Sequence, residues 1–173
     1  MARRRAARWV RGFVGPPEAV ASAQRLDLSE LAAKGKNVSD PIFVSQIELD
    51  VPRSGCASQS EREELETVLL AWLSLNSAVG YTQGFNAVAA LLLRTFRLGG
   101  VAAPARMALA ALGSMLRVNI GLIPLGVEDR MPLEVAQNVA KEIVLEIVSA
   151  APSLRVVEAG VDVLTVMVLR VFP

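Results

Sequence analysis

Ser60-Glu61-Arg62-Glu63-Glu64-Leu65-Glu66-Thr67-Val68-Leu69-Leu70-Ala71-Trp72-Leu73 reads as the start and first turns of an amphipathic helix. Ser60 followed three residues later by Glu63 has capping-box spacing. The hydroxyl can accept the Glu63 amide while that carboxylate returns to the Ser60 amide. Leu65, Val68, Leu69, Trp72 and Leu73 then fall on one stripe at helical spacing. The pattern predicts a helix over 61–77, with Gly80 at its end or shortly after it. Further on, a helix over 84–96 begins near Gln83 or Gly84 and places Phe85, Val88, Ala89, Leu92 and Leu93 on one face. Pro104, Pro132 and Pro152 open three more predicted helices, over 104–118, 132–149 and 153–170. Proline suits a first helical turn because its missing N–H would be unpaired there anyway. Val-rich residues 161–171 also fit a strand, but with helices on every side and no partner strand in view they are read as helical. The fold class is therefore all-α, an irregular helical bundle with Leu69, Trp72, Val88, Leu92 and Ile143 on its apolar stripes.

Upstream the patterning weakens. Residues 1–38 read as a basic, poorly patterned arm, with Gly15-Pro16-Pro17 and Lys34-Gly35-Lys36-Asn37 as loops and a short helix over Leu26 to Ala33. Residues 39–173 are expected to form the helical domain, incomplete at its C-terminal side. Arg3, Arg4, Arg5, Arg8 and Arg11 make the segment to Arg11 +5, leaving 13 basic against 17 acidic residues in the remainder, or −4. A solvated basic arm is the first reading of that start, and an acid-poor transit peptide the second.

Composition excludes several chemistries. A mildly acidic body does not suit a nucleic-acid binder. The single cysteine, Cys56, allows no internal disulfide and fits a reducing compartment. With no histidine in 173 residues, Ser-His-Asp and Cys-His catalysis and His-ligated zinc are ruled out. Hydrophobic content is 53% and mean hydropathy +0.43, high for a soluble protein. Thr67 to Leu93 carries no charge and is long enough to cross a bilayer as a helix. Asn76, Gln83 and Asn86 within it, and Gly80 and Gly84 breaking it, favour two buried helices joined by a turn. A small membrane-associated helical protein is kept as an alternative. Glu61, Glu63, Glu64 and Glu66 read as a solvated helix start rather than a metal site, Glu128-Asp129 as a loop pair, and Met107, Met115 and Met131 as core filler.

Two short motifs carry the chemistry: Ile47-Glu48-Leu49-Asp50-Val51-Pro52-Arg53 and Gly80-Tyr81-Thr82-Gln83-Gly84-Phe85-Asn86. Apolar residues alternate through Ile47, Leu49 and Val51, which fits half a β-strand. Pro52 biases Val51 away from helical backbone, so Arg53 is expected on a loop. Asp50, three residues back, can hydrogen-bond the guanidinium and hold one rotamer. Gln83 at the mouth of a helix offers a carbonyl that accepts and an amide that donates. The helix start is expected to add free N–H groups that favour an anion. Gly84 allows close backbone approach, Asn86 can tie the turn to a neighbouring segment, and Tyr81 can pack beside Gln83.

In this order the motifs resemble those of the TBC (Rab GTPase-activating protein) family, I-x-x-D-x-x-R and Y-x-Q-G-x-N, with agreement from about Asp40 to Leu93. The residue after the motif arginine is usually threonine and is Ser54 here, and the family's opening motif is at best echoed by Val14-Gly15-Pro16-Pro17. The resemblance implies that Arg53 is an arginine finger, Gln83 a glutamine finger, Asp50 the acidic partner and Tyr81 the motif tyrosine, with Gly84 and Asn86 supporting them. It implies a Rab-type small GTPase as partner, and a cytoplasmic location at endomembranes, where the GTPase brings the chain to the membrane. It implies no cofactor of the chain's own, since GTP and Mg²⁺ belong to the GTPase. A catalytically inactive Rab-binding adaptor is the alternative.

Overall fold

Short polar caps and prolines mark where the helices begin. The computed structural model describes residues 2–77 and 79–115. Seven α-helices run through those residues, which contain no strand: α1 (Ala2–Trp9), α2 (Pro17–Gln24), α3 (Leu28–Val38), α4 (Pro41–Asp50), α5 (Gln59–Leu75), α6 (Phe85–Leu98) and α7 (Pro104–Met115). A π-helical turn, Val10–Val14, continues α1, and a 3-10 turn, Val51–Arg53, continues α4. Asp27 caps α3 by accepting the Glu30 N–H at 3.0 Å, and Asp40 caps α4 by accepting that of Ile42 at 3.0 Å.

The cap of α5 lies two residues earlier than expected. The Ser58 hydroxyl accepts the Glu61 N–H at 3.2 Å, and the Glu61 carboxylate accepts the Ala57 N–H at 2.7 Å. Ser58 and Glu61 have the same spacing as Ser60 and Glu63, so the upstream pair starts the helix and Ser60 falls inside it.

α5 forms the centre of the core. Leu65, Val68, Leu69, Ala71, Trp72 and Leu73 are all at 0% exposure, with Val88 and Leu92 of α6 and Met107 and Leu109 of α7 packed around them. Leu69, Trp72, Val88 and Leu92 are thus buried as their stripes require. Ile143 and the helices expected over 132–149 and 153–170 lie outside the described residues.

The most extensive helix pair is α3 with α5. Gly35 makes this approach possible, because a Cβ there would stand 1.9 Å from the Leu70 carbonyl oxygen. Lys34 to Asn37 are therefore helical rather than a loop, and the glycine is a packing residue. The supposed basic arm is also ordered and helical. Ala6, Trp9, Phe13 and Val14 are buried, with the Trp9 and Phe13 rings edge to face at 6.0 Å. The spacing of Ala6, Trp9 and Phe13 is helical, and the arginines between them mask it in the composition.

The uncharged stretch from Thr67 to Leu93 is split where α5 ends at Leu75 and α6 begins at Phe85. Among the described residues no helix is long and apolar enough to cross a membrane.

Candidate functional site

The first motif is the end of a helix. Val44, Ile47 and Val51 are buried at spacings of three and four, while Leu49 is exposed, so the helical period prevails over the apparent strand alternation. Val51 keeps helical backbone (φ −56°, ψ −46°) despite the proline after it. Its side chain is held in the core, and the N–H that Pro52 lacks falls where the α-helix is already giving way to the 3-10 turn. Arg53 is exposed at the last position of that turn. Among the described residues it makes no hydrogen bond or ion pair.

The second motif is the turn between α5 and α6. The Gly80 carbonyl accepts the Trp72 indole N–H at 2.9 Å. Gly80 has φ +71°, and a Cβ there would lie 2.4 Å from the Phe43 ring, so both conformation and space demand glycine. The Phe85 N–H returns to the Thr82 carbonyl at 3.1 Å. That closes a β-turn with Gly84 at its third position (φ +103°), where type II geometry favours glycine. Gln83 occupies the second position and is exposed. The helix-start anion site expected here is largely occupied. The Gly84 N–H is taken by Asn86 Oδ1 at 3.0 Å, the Phe85 N–H by Thr82, and the Ala87 N–H by the Gly84 carbonyl.

Buried hydrogen bonds join the two turns. The Tyr81 hydroxyl donates to Asp50 Oδ2 at 2.8 Å. Asn86 Nδ2 donates to Ser54 Oγ at 2.9 Å and reaches the Asp50 carbonyl at 3.4 Å, and Ser54 Oγ donates to that same carbonyl at 2.9 Å. Arg53 is therefore bracketed by Asp50 and Ser54, Gln83 by Tyr81 and Asn86, and each bracket residue is bonded to the opposite pair. Further along, Arg94 donates to the Gly55 carbonyl at 3.0 Å, and Arg97 pairs with Glu61 at 2.9 Å and with Glu64. The first contact fastens the loop after Arg53 to α6 and the Arg97 pairs fasten α5 to α6, with Cys56 in the same shallow cleft. Partial burial, and then Glu61, push the Cys56 thiol up, opposed by Arg94, Arg62 and Arg97.

Two assigned roles change. Asp50 does not hold the Arg53 guanidinium; its carboxylate takes the Tyr81 hydroxyl. The Tyr81 ring packs edge-on to Phe85 at 6.0 Å, so the tyrosine fixes its turn through Asp50. Burial first, and then the bond to Asp50 and its charge, push the Tyr81 phenol well above its usual range, so it stays a donor. Ser54 and Trp72 were missed as supports. The signal for Ser54 was its hydroxyl, the feature it shares with the usual threonine. Tyr81→Phe keeps the ring but leaves a buried carboxylate oxygen without its donor. It should lower unfolding stability by about 1.5–3 kcal/mol, the range for a hydrogen bond to a charged group, measured by urea denaturation.

Among the described residues, an all-helical frame thus ties the turn that carries an exposed Arg53 to the turn that carries an exposed Gln83. Residues 20–150 match the model of the RabGAP-TBC family, the Rab-GTPase-TBC domain. That is well over half of the 173 residues, and the chain belongs to this family. The match begins within α2 and takes in α3, ahead of the boundary expected at residue 39. Among curated proteins, the chain is 43% identical over 63 residues to "TBC1 domain family member 30" of Homo sapiens, covering 33% of this chain and 7% of that protein. The Xenopus tropicalis protein of the same name is 41% identical over 63 residues, again 33% of this chain and 7% of that one. The Mus musculus protein is 43% identical over 63 residues, with 33% and 8% covered. The matched stretch thus spans under a tenth of these relatives' length. No solved structure matches the chain.

Proposed function

We propose that this chain activates a Rab-type small GTPase, supplying Arg53 and Gln83 in trans to the GTP bound by its partner. The observation that carries the reading is the double bracket, Tyr81 to Asp50 and Asn86 to Ser54, which ties together the two turns that bear exposed Arg53 and Gln83. In GTP hydrolysis the water oxygen bonds to the γ-phosphorus as the bond to the β–γ bridging oxygen breaks. Negative charge spreads over the transferring group and the leaving oxygen. A guanidinium can meet that charge with two N–H groups, and the Gln83 carbonyl can orient the attacking water while its NH₂ donates to a phosphate oxygen. Fixing the turns that bear them beforehand lowers the entropy lost on reaching the transition state. GTP and Mg²⁺ come with the GTPase.

Ile42 and Leu49 support the same reading. They are 58% and 60% exposed, seven residues apart on one face of α4, and that helix leads directly to Arg53. Apolar area beside the arginine would add docking contact with the same GTPase. The test is single-turnover GTP hydrolysis by a panel of Rab proteins with and without the chain, together with their binding to it. Acceleration of one or more supports the proposal. Binding at saturation with unchanged hydrolysis assigns the adaptor role instead, and absence of both removes the reading.

A further inference from the structure

The chain begins with a folded cationic face. α1 buries Ala6 and Trp9 and leaves Arg3, Arg4 and Arg8 exposed, and Arg11 is exposed in the π-turn that follows. At about 100° per residue, Arg4 and Arg8 project opposite Ala6 and Trp9. The face is fixed to the domain. Trp9 is at 0% exposure, and Gly99, at the end of α6, lies so close that a Cβ there would come within 2.1 Å of the Ala6 Cβ. This contact sets Leu98, the residue before Gly99, at the flank of α1 on its Ala6 side. Leu98 is 68% exposed, the highest exposure of a large apolar side chain among the described residues.

We propose that the outward face of α1, flanked by the exposed Leu98 at the end of α6, is a docking surface for an anionic lipid bilayer. The inference is independent of the GTPase reading and needs no GTPase to bring the chain to the membrane. The sequence sets a +5 segment on a −4 remainder, and the exposed Arg3, Arg4 and Arg11 in that segment turn α1 toward an anionic leaflet. Arginine can reach phosphate and carboxylate headgroups while its aliphatic stem stays near the acyl boundary. Leu98 distinguishes a bilayer from other polyanions, because an exposed leucine gains by entering a lipid interface and gains nothing against a phosphate backbone. Each arginine beside an anionic leaflet strengthens binding roughly fivefold, and salt screens that gain.

The experiment is co-sedimentation of the full chain with vesicles of phosphatidylcholine alone or with added phosphatidylserine, at low and high salt. Wild type should pellet with the serine-containing vesicles, more weakly at high salt, and remain in solution with the neutral ones. Arg3→Gln/Arg4→Gln/Arg11→Gln should lower partitioning at least about tenfold. Leu98→Ser should lower it severalfold and leave binding to double-stranded DNA unchanged. Circular dichroism melts confirm folding. If the triple variant fails to fold, Arg4→Gln alone should give roughly a fivefold loss. The proposal is overturned if wild type stays in solution with anionic vesicles, or if the arginine substitutions leave partitioning unchanged. It is also overturned if DNA is bound as tightly as the vesicles and Leu98→Ser affects neither.

Discussion

Arg53→Ala is expected to remove most of the chain's stimulation of its GTPase, a loss of about 10³-fold or more if Arg53 acts as an arginine finger. The GTPase should still bind, because Ile42 and Leu49 remain exposed on α4 to add docking contact. Arg53→Lys should not rescue, since an ammonium keeps the charge but lacks the planar fork that engages two oxygens. Gln83→Ala should also be severely impaired, because a water left unpositioned forfeits in-line geometry. The double variant should be far from additive, as both groups serve one transition state. These variants make clean tests because Arg53 and Gln83 are exposed, and Arg53 has no hydrogen-bond or ion-pair partner among the described residues. Their melting temperatures should match wild type, so lost activity cannot be ascribed to unfolding. Single-turnover hydrolysis at saturating chain separates the cases. An Arg53→Ala variant as effective as wild type would remove Arg53 from the chemistry.

Apolar periodicity foretold the centre of the molecule because burial and helical period coincide there: Leu65, Val68, Leu69, Trp72 and Leu73 read as a stripe and are a stripe. It failed where another signal covered it. The arginines of α1 hid Ala6, Trp9 and Phe13. In Lys34-Gly35-Lys36-Asn37, glycine among polar residues looked like a turn, whereas it serves a helix crossing too close for any Cβ. In Ile47–Arg53 a two-residue alternation arose from Leu49, a large apolar side chain on the solvent side. The two exposed tips were legible from the motifs, but the bonds that tie their turns together were not. Asp50 and Tyr81 are 31 residues apart, and local spacing naturally pairs Asp50 with Arg53 instead. Only the packing of α4 and its 3-10 turn against α5, which brings the turn after α5 beside Asp50, decides which partner the carboxylate meets.

Trp72→Ala is expected to have the largest effect on stability. The indole is fully buried, lies edge-on to Phe85 at 5.6 Å, and donates to the Gly80 carbonyl at 2.9 Å. Truncation leaves a cavity at the centre of α5 and should cost about 3–5 kcal/mol. Against a typical total of about 5–15 kcal/mol that is enough to leave the chain barely folded. Trp72→Phe separates packing from hydrogen bonding. It retains much of the apolar volume and loses the donor, so its cost should be nearer 1–3 kcal/mol, the range for an unsatisfied buried acceptor. The two variants should also differ in kind. The indole N–H holds the backbone one residue before Tyr81, so without it the turn bearing Gln83 keeps on its N-terminal side only the Gly80 N–H bond to the Asn76 carbonyl next to the helix end and the Tyr81 bond to Asp50. Trp72→Phe should therefore depress GTPase stimulation more than its modest stability loss alone would do at a temperature where it is fully folded. Equal denaturation midpoints for wild type and Trp72→Phe, with unchanged stimulation, would mean that packing alone fixes this turn.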